Sequence, residues 1–553
     1  MIRRVIIRRF KRFDEVTFDV PRHIVLAGPN NTGKTTMLQA IAAWDLAFER
    51  WGRLNDLQRH GGAYTRLPLT RHQFSAVPLR SFDLLWRNRE YRGTVEIEVQ
   101  SERGWTIPIE FKADSLEQVY VRPLPTVEPA TLRDASITTV FIPPMTGLGT
   151  EEPVYTRPKV DQLLGQAKPG DVLRNLLVEA QGSAPAWEAL TKSITRLFGY
   201  ELAPPDSSGA HILAEYSPRP GAARFDIASA GSGFQQVLML LTFLYTRPAS
   251  VLLLDEPDAH LHVILQDAIF SELRSAAFEN ESQLVVATHS EVIINTVDPR
   301  NLCVMFRTPR LLATTEERSG LIRALGVLTN TDVMLAEDAP GVLYLEGSTD
   351  LEILRAWARV LGHAAEPLLT TELFWHPTVH QTRPDATGIR AEVHYAALKL
   401  VRDDLPGLEI LDRDARPELP ATSVAGSGLQ RARWGRYEIE SYLVHPTALE
   451  RFVERQVGEG DASAEARKAM HAHITSVFRT EFLENPLNPE PLVENYLRTT
   501  KARTDILPKI LDAAGLQGFP YTRYHEIAAS MLPEEIHPEV REKLDAICKA
   551  FGR

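Results

Sequence analysis

The stretch Gly28-Pro29-Asn30-Asn31-Thr32-Gly33-Lys34-Thr35-Thr36 constrains this chain more than any other. It fits the pattern G-x-x-x-x-G-K-[ST], follows the apolar run His23-Ile24-Val25-Leu26-Ala27, and opens a helical pattern that continues to about Phe48. A strand, a glycine-permissive loop and a helix N-terminus in that order aim backbone N–H groups at a phosphate. Gly28, Asn30, Asn31, Thr32, Gly33 and Thr36 are therefore assigned to a phosphate cradle. Lys34 is expected to reach the outer phosphates, and the Thr35 hydroxyl to ligate Mg²⁺. A chance glycine turn would have no reason to carry both the strand and the helix.

Three later stretches extend this reading. Val251-Leu252-Leu253-Leu254-Asp255-Glu256-Pro257 is an apolar strand that ends in two carboxylates. Asp255 would hold Mg²⁺ through water, and Glu256 would polarise an attacking water as general base. Alone, such an acidic pair is a solvated loop; downstream of a phosphate loop it is more specific. Thr288-His289-Ser290 follows a second apolar strand, Leu284 to Ala287. Ser229-Ala230-Gly231-Ser232-Gly233-Phe234-Gln235-Gln236 forms a glycine-rich turn ahead of an apolar helix, Phe234 to Tyr245. Strands alternating with helices predict an α/β fold with a mainly parallel, covered sheet.

Together these four motifs resemble the ABC-type ATPase superfamily, in the branch that holds RecF-like and OLD-like (overcoming-lysogenization-defect) proteins. The resemblance reaches to about residue 330, with about 51–220 matched by position alone and read as insertions. It implies ATP as the nucleotide, with His289 as the switch histidine at the γ-phosphate. It also implies Ser232 as the signature serine, although the local sequence departs from Ser-Gly-Gly-Gln, and Gln73 as the glutamine of a further loop. In that superfamily one subunit's signature completes another's ATP site. A homodimer or higher homo-oligomer through the ATPase domains is therefore implied.

Further along, Leu343-Tyr344-Leu345-Glu346-Gly347-Ser348-Thr349-Asp350 puts a glutamate at a strand end, with a glycine turning into a helix. Leu408-Glu409-Ile410-Leu411-Asp412-Arg413-Asp414 ends another strand with two aspartates. Neighbouring parallel strands end on one edge, which would gather Glu346, Asp412 and Asp414 into one acidic pocket. Crowded carboxylates repel one another and are tolerated when divalent cations sit among them. Mg²⁺ or Mn²⁺ there would serve phosphodiester chemistry.

This Glu-Gly and Asp-x-Asp order resembles the Toprim fold of topoisomerases, primases and OLD-family nucleases. The resemblance implies Glu346 as the motif glutamate, and Asp412 and Asp414 as metal ligands. Asp350, one helical turn on from Glu346, is an added ligand. In Arg436-Tyr437-Glu438-Ile439-Glu440, Glu440 or Glu438 would complete a second metal position. Lys509 is the candidate for the basic residue that neutralises the transition state. Arg431, Arg433, Trp434 and Arg436 lie close by in sequence and are either a phosphate grip with a stacking surface or a solvated basic loop.

The chain's 553 residues exceed one ordinary core. The expected division is an ATPase domain at 1–335, a Toprim-like nuclease core at 336–445, and a helical C-terminal part at 446–553. A net charge of −11 argues against a general nucleic-acid coat, but a local basic groove still permits a DNA- or RNA-cutting enzyme. Cys303 and Cys548, the only cysteines, are too few for a disulfide framework and fit a reducing cytoplasm. No membrane is expected: the longest apolar run, Val237 to Tyr245, is too short to span a bilayer, and no apolar stretch of signal-peptide length follows the N-terminal arginines. No repeat or sustained heptad pattern is present.

The whole implies an OLD-type ATPase–nuclease, a class often found in bacterial antiviral defence, with a partner defence protein or phage trigger. Two rivals remain. One is an ATP-switched sensor or scaffold whose Toprim domain is inactive. The other is a RecF-like DNA-repair ATPase, which leaves the last third of the chain without a role.

Overall fold

The computed structural model describes residues 1–552 apart from 55, 56, 72, 75, 78, 145, 146, 167, 307, 379–388, 414–419, 459, 479 and 480. It divides into two units, Met1–Leu325 and Gly326–Arg553. The division precedes the expected boundary at 335/336. Helix Asn330–Asp338 already belongs to the second unit, where its Asp332 faces His394.

The first unit opens with strands β1 (Ile2–Arg8), β2 (Glu15–Asp19) and β3 (His23–Ala27), then helix α1 (Lys34–Leu54). Strands β4 (Leu67–Thr70), β5 (Thr94–Ser101), β6 (Thr106–Ala113), β7 (Gln118–Pro123) and β8 (Thr139–Ile142) follow. After three helices between Arg157 and Phe198 come α2 (Ser232–Thr246), β9 (Val251–Asp255), α3 (Val263–Glu279), β10 (Gln283–Thr288), β11 (Leu302–Val304) and β12 (Arg310–Leu311).

Two six-stranded sheets result. One runs β8-β9-β10-β3-β11-β12 and is parallel except for β12; the other runs β2-β1-β5-β6-β7-β4 and is antiparallel. Every residue of β9 and β10 is buried, as strands covered on both faces must be. Strand β5 instead alternates, burying Val95, Ile97 and Val99 on one face.

Helix α1 lies between the sheets and shares one core with both. Its Trp44 is fully buried and donates Nε1–H to the Ile107 carbonyl at 2.8 Å. Deep in the same unit, the buried Gln283 amide exchanges hydrogen bonds with Ile2, 2.8 Å each way. The stretch about 51–220, expected as insertions, is thus largely structural. It supplies four strands of the antiparallel sheet and the edge strand β8 of the parallel one. Its strands pair with β1 and β9, partners too far apart in sequence for local pattern to reveal.

The second unit contains α4 (Asn330–Asp338), β13 (Val342–Leu345), α5 (Ser348–Val360), β14 (Phe374–Pro377), α6 (Ala391–Val401), β15 (Gly407–Leu411), β16 (Thr422–Val424) and β17 (Gln430–Arg433). Its sheet order is β14-β13-β15-β17-β16, parallel except for the edge strand β16. Helices from Pro446 to Phe551 complete the unit. A single core runs from Leu343 on β13 through Trp357 to Phe551, so the sheet and the C-terminal helices are packed as one body. Among the described residues, no helix is long and apolar enough to cross a membrane.

Candidate functional site

Three strands of the first unit's parallel sheet deliver side chains to one edge. In the order β9-β10-β3, Asp255 pairs with Ala287 and Thr288 with Ala27, so all three strands end side by side. The loop after β3 turns tightly. Asn31 (φ 64°) and Gly33 (φ 101°) occupy the left-handed region, and a Cβ on Gly33 would lie 2.7 Å from the Phe13 ring. A Cβ on Gly28 would lie 2.5 Å from the Met305 carbonyl oxygen. Thr32 is buried and donates to the Pro29 carbonyl at 2.9 Å. Asn30, Asn31 and Thr35 are exposed at the loop's rim, with Thr36 partly covered.

Lys34 is buried, and its Nζ donates to the carbonyls of Gly28 (2.7 Å) and Pro29 (2.8 Å). Thr35 Oγ1 donates to Asp255, 2.9 Å from Oδ2. Burial pushes the Asp255 carboxyl up to about 6, against the Thr35 hydrogen bond that stabilises its charge. Glu256 holds a left-handed backbone (φ 48°), fixed by its N–H to the Ala287 carbonyl at 2.8 Å. That turn brings Glu256 Oε1 to 3.2 Å from His289 Nδ1. Asp258, which the sequence reading passed over, is buried and accepts the Thr288 hydroxyl at 2.6 Å. The signal was present in the run Asp-Glu-Pro-Asp but had no pattern of its own.

Ser232 is exposed at the first turn of α2, while Gln235 folds back, its Nε2 donating to the carbonyls of Ile227, Ala228 and Ala230 at 3.0–3.1 Å. Gln73 stands beyond β4, the outer edge of the antiparallel sheet. There its side-chain oxygen accepts from Thr70 N–H at 3.0 Å, a local turn contact.

In the second unit, β13 and β15 are neighbouring parallel strands, and Glu346 and Asp412 follow them directly. Asp350 lies in the first turn of α5, its Oδ2 accepting Gly347 N–H at 3.3 Å. A 3-10 turn, Ile439–Leu443, is tied to the strand end by Ile439 N–H donating to Asp412 Oδ1 at 3.1 Å. This brings in Glu438 and Glu440, which are 1% and 2% exposed.

These acids feel one another. Burial, then the charges of Glu346, Asp350, Glu440 and Glu438, hold the Asp412 carboxyl well above the usual range. Glu440 is pushed up to about 8 by burial and by Glu438 and Asp350. The cation among them is Arg503, on the π-helical turn Ala502–Ile506. Its Nη1 is 3.9 Å from Glu440 Oε1, and its backbone N–H donates to Glu438 Oε1 at 2.5 Å. Burial opposes the Arg503 charge, but Glu440, Glu438, Asp350 and Asp412 together raise its pKa.

Of the acids singled out in the sequence, Glu346, Asp350, Glu438 and Glu440 lie near enough to Asp412 to raise its carboxyl, although among the described residues no three of them bring donor atoms within 4.8 Å of one another; Asp414 lies outside the described residues. Lys509 is exposed on the following helix, whereas Arg503 is the cation that faces Glu440. The basic and aromatic run is also corrected. Trp434 is buried against Tyr442, ring centroids 4.9 Å apart, and Arg436 is buried and paired with Glu494 at 3.0 Å. Arg431 is paired with the buried Glu409 at 2.7 Å, and Arg433 is buried. Arg433, Trp434 and Arg436 are therefore not a solvated loop.

Residues 174–295 match the family described as "AAA domain, putative AbiEii toxin, Type IV TA system". The first unit thus contains a P-loop ATPase domain. No curated protein matches the chain. Solved structures similar to it include an SmcHead bound to the C-winged helix domain of ScpA, at 16% identity over 57% of this chain and 99% of that chain, TM-score 0.37. Others are the SMC head domain from Thermotoga maritima (14%, 57% and 99%, TM-score 0.32) and an Smc head domain with an extended coiled coil bound to the C-terminal domain of ScpA, derived from Pyrococcus furiosus (13%, 57% and 97%, TM-score 0.35). At those scores the likeness says nothing about activity.

The matched span begins within the helices before α2 and ends in the helix after β10, so it takes in Ser232, Asp255, Glu256 and His289 of the ATPase domain. The phosphate loop lies outside the match and stands on its own geometry.

Proposed function

We propose that the chain is an ATP-hydrolysing, divalent-metal-dependent nuclease of OLD type, cutting DNA or RNA in defence against phage. The observation that carries this reading is the convergence of Glu346, Asp350, Asp412, Glu438 and Glu440 around Arg503. A scaffold has no need to hold buried acids against their mutual repulsion. The donor set is all oxygen, which suits Mg²⁺ or Mn²⁺. Glu440 Oε1 is buried without a hydrogen bond among the described residues, as a metal-directed oxygen would be. A divalent ion there would supply charge stabilisation for an in-line displacement at phosphorus. Arg503 would hold the scissile phosphate against that acidic wall, and Glu346 and Asp412 would orient the ions from the strand ends.

In the ATPase domain, Lys34 would exchange its two loop carbonyls for phosphate oxygens, and Thr35 with Asp255 would share Mg²⁺. Glu256 would act as general base, oriented by His289. The exposed Ser232 would complete the site of a second copy, making the assembly a homodimer or larger. The matched family's description as a putative toxin of a type IV system is in keeping with a defence role and concerns the ATPase domain alone.

The test incubates purified full-length protein with plasmid DNA and with total RNA, with and without Mg²⁺ or Mn²⁺ and ATP, beside Glu346→Gln and Asp412→Asn. Cleavage that requires the metal and disappears in both variants is expected. Equal cutting by wild type and variants, or no cutting of any substrate, would overturn the nuclease reading and leave the ATP-switched scaffold.

A further inference from the structure

The second unit holds another group of donor atoms, unlike the acids in chemistry. Asp332 lies on α4, His376 on β14 and His394 on α6. One carboxylate oxygen of Asp332 and one ring nitrogen from each histidine all lie within 4.8 Å of one another. Asp332 Oδ2 is 3.5 Å from His394 Nε2, and the two imidazole rings stack with centroids 3.9 Å apart. His394 is 0% exposed and its Nε2 meets only Asp332 Oδ2, at 3.5 Å; His376 Nδ1 is buried and likewise has no well-formed hydrogen bond among the described residues. Buried ring nitrogens are normally satisfied.

The surroundings suit a ligand. Tyr344 Oη, fully buried on β13, is 2.9 Å from His394 Nδ1. In the tautomer whose Nδ1–H donates to the phenol oxygen, Nε2 would present its lone pair toward Asp332. A metal-bound histidine almost always gives its other ring N–H to an oxygen in this way. Asp332 is itself braced, its Oδ2 accepting both the N–H and the hydroxyl of Thr329 at 2.7 Å. His376 is partly accessible.

We propose that Asp332, His376 and His394 form a site for a zinc-class transition metal, clipping α4 to β14 and α6. Two imidazoles and one carboxylate select Zn²⁺ and its first-row neighbours, whereas the all-oxygen centre at Glu346 and Asp412 selects Mg²⁺ or Mn²⁺. The site is independent of the nuclease reading and survives its failure. A simple Asp332–His394 ion pair is the competing account, and it gives His376 no role.

The test strips full-length protein with chelator, then titrates Zn²⁺ or Co²⁺ in excess Mg²⁺, reading bound metal, Co²⁺ visible absorption and Tm. Wild type is expected to retain Zn²⁺ against excess Mg²⁺ and to melt higher with it. His376→Gln and His394→Gln should weaken binding roughly tenfold or more, and Tyr344→Phe to a smaller extent. Asp412→Asn should bind as wild type does. Circular dichroism establishes that each variant is folded; if His394→Gln is not, the partly exposed His376→Gln decides. Folded wild type that retains no Zn²⁺, or histidine variants that bind it unchanged, would overturn the proposal. Loss in Asp412→Asn alone would assign the ion to the acidic centre and equally overturn it.

Discussion

The hydroxyl of Thr35 and the carboxylate of Asp255, 220 residues apart in sequence, meet at 2.9 Å. One begins α1 and the other ends β9, so the contact joins the phosphate loop to the strand-end acids across the sheet. Lys34 beside them is buried and held by its own loop's carbonyls. A nucleotide must replace those bonds with stronger, charge-assisted ones to phosphate. Lys34→Ala is therefore expected to weaken ATP binding by about 10–100-fold, the equivalent of one lost hydrogen bond to a charged group. Equilibrium binding of a fluorescent ATP analogue checks this, and unchanged affinity would contradict the assignment of the loop.

Asp45 gives a pH signature that involves no residue of the phosphate loop. Its carboxylate, on α1, accepts the N–H and hydroxyl of Thr139 on β8 at 2.9 and 2.8 Å, and burial pushes it up to about 7. The folded state thus holds a proton that an unfolded aspartate, near 3.8, releases earlier. The group's stabilising contribution is fully present below about 4 and is lost as pH rises towards 7. Asp45→Asn keeps the acceptor oxygen without the charge. It is expected to raise Tm by a few degrees at pH 8 and to have little effect at pH 4, measured by thermal melts across that range.

Arg503 and Lys509 make opposite predictions. Arg503 faces the acids, and Lys509 is exposed on the helix beyond. Arg503→Ala is expected to reduce metal-dependent cleavage by about 100-fold or more, as loss of a charge-stabilising donor does, with Arg503→Lys recovering part of it. Lys509→Ala should stay within about twofold of wild type, as a solvated surface position would. Single-turnover cleavage assays on the same substrate separate the two. A loss with Lys509→Ala and none with Arg503→Ala would reverse the assignment.

Local pattern was enough for the ATPase domain's parallel sheet because its functional residues sit at the ends of apolar strands, next to turns that punctuate the sequence. Glu346 and Asp412 were legible for the same reason. Arg503 was not: it enters on a π-helical turn in a helical stretch, and only tertiary packing carries it to Glu440. Trp434 and Arg436 misled in the opposite direction. Basic and aromatic residues in a row suggest a binding surface, but here Tyr442 and Glu494 from elsewhere bury and neutralise them. Likewise, nothing local says that β5 pairs with β1, about ninety residues earlier in the chain.

Asp258 tests how the ATPase edge is braced. Thr288 donates its hydroxyl to Asp258 Oδ1 at 2.6 Å and accepts Ser290 N–H at 2.9 Å, which fixes the backbone on either side of His289. His289 in turn stands 3.2 Å from Glu256. Asp258 touches neither the phosphate loop's lysine nor Glu256 by any hydrogen bond among the described residues, so it acts by position. Asp258→Ala would strand a buried hydroxyl, at a cost of about 1–3 kcal/mol. Denaturant melts should register that loss. If the brace matters to catalysis, kcat for ATP should fall by about tenfold with KM little changed, because the damage is to Glu256 and His289 and not to phosphate binding. Asp258→Asn, which retains an acceptor oxygen, should recover both stability and kcat. An Asp258→Ala variant that melts early but hydrolyses ATP at the wild-type rate would leave Asp258 a purely structural residue.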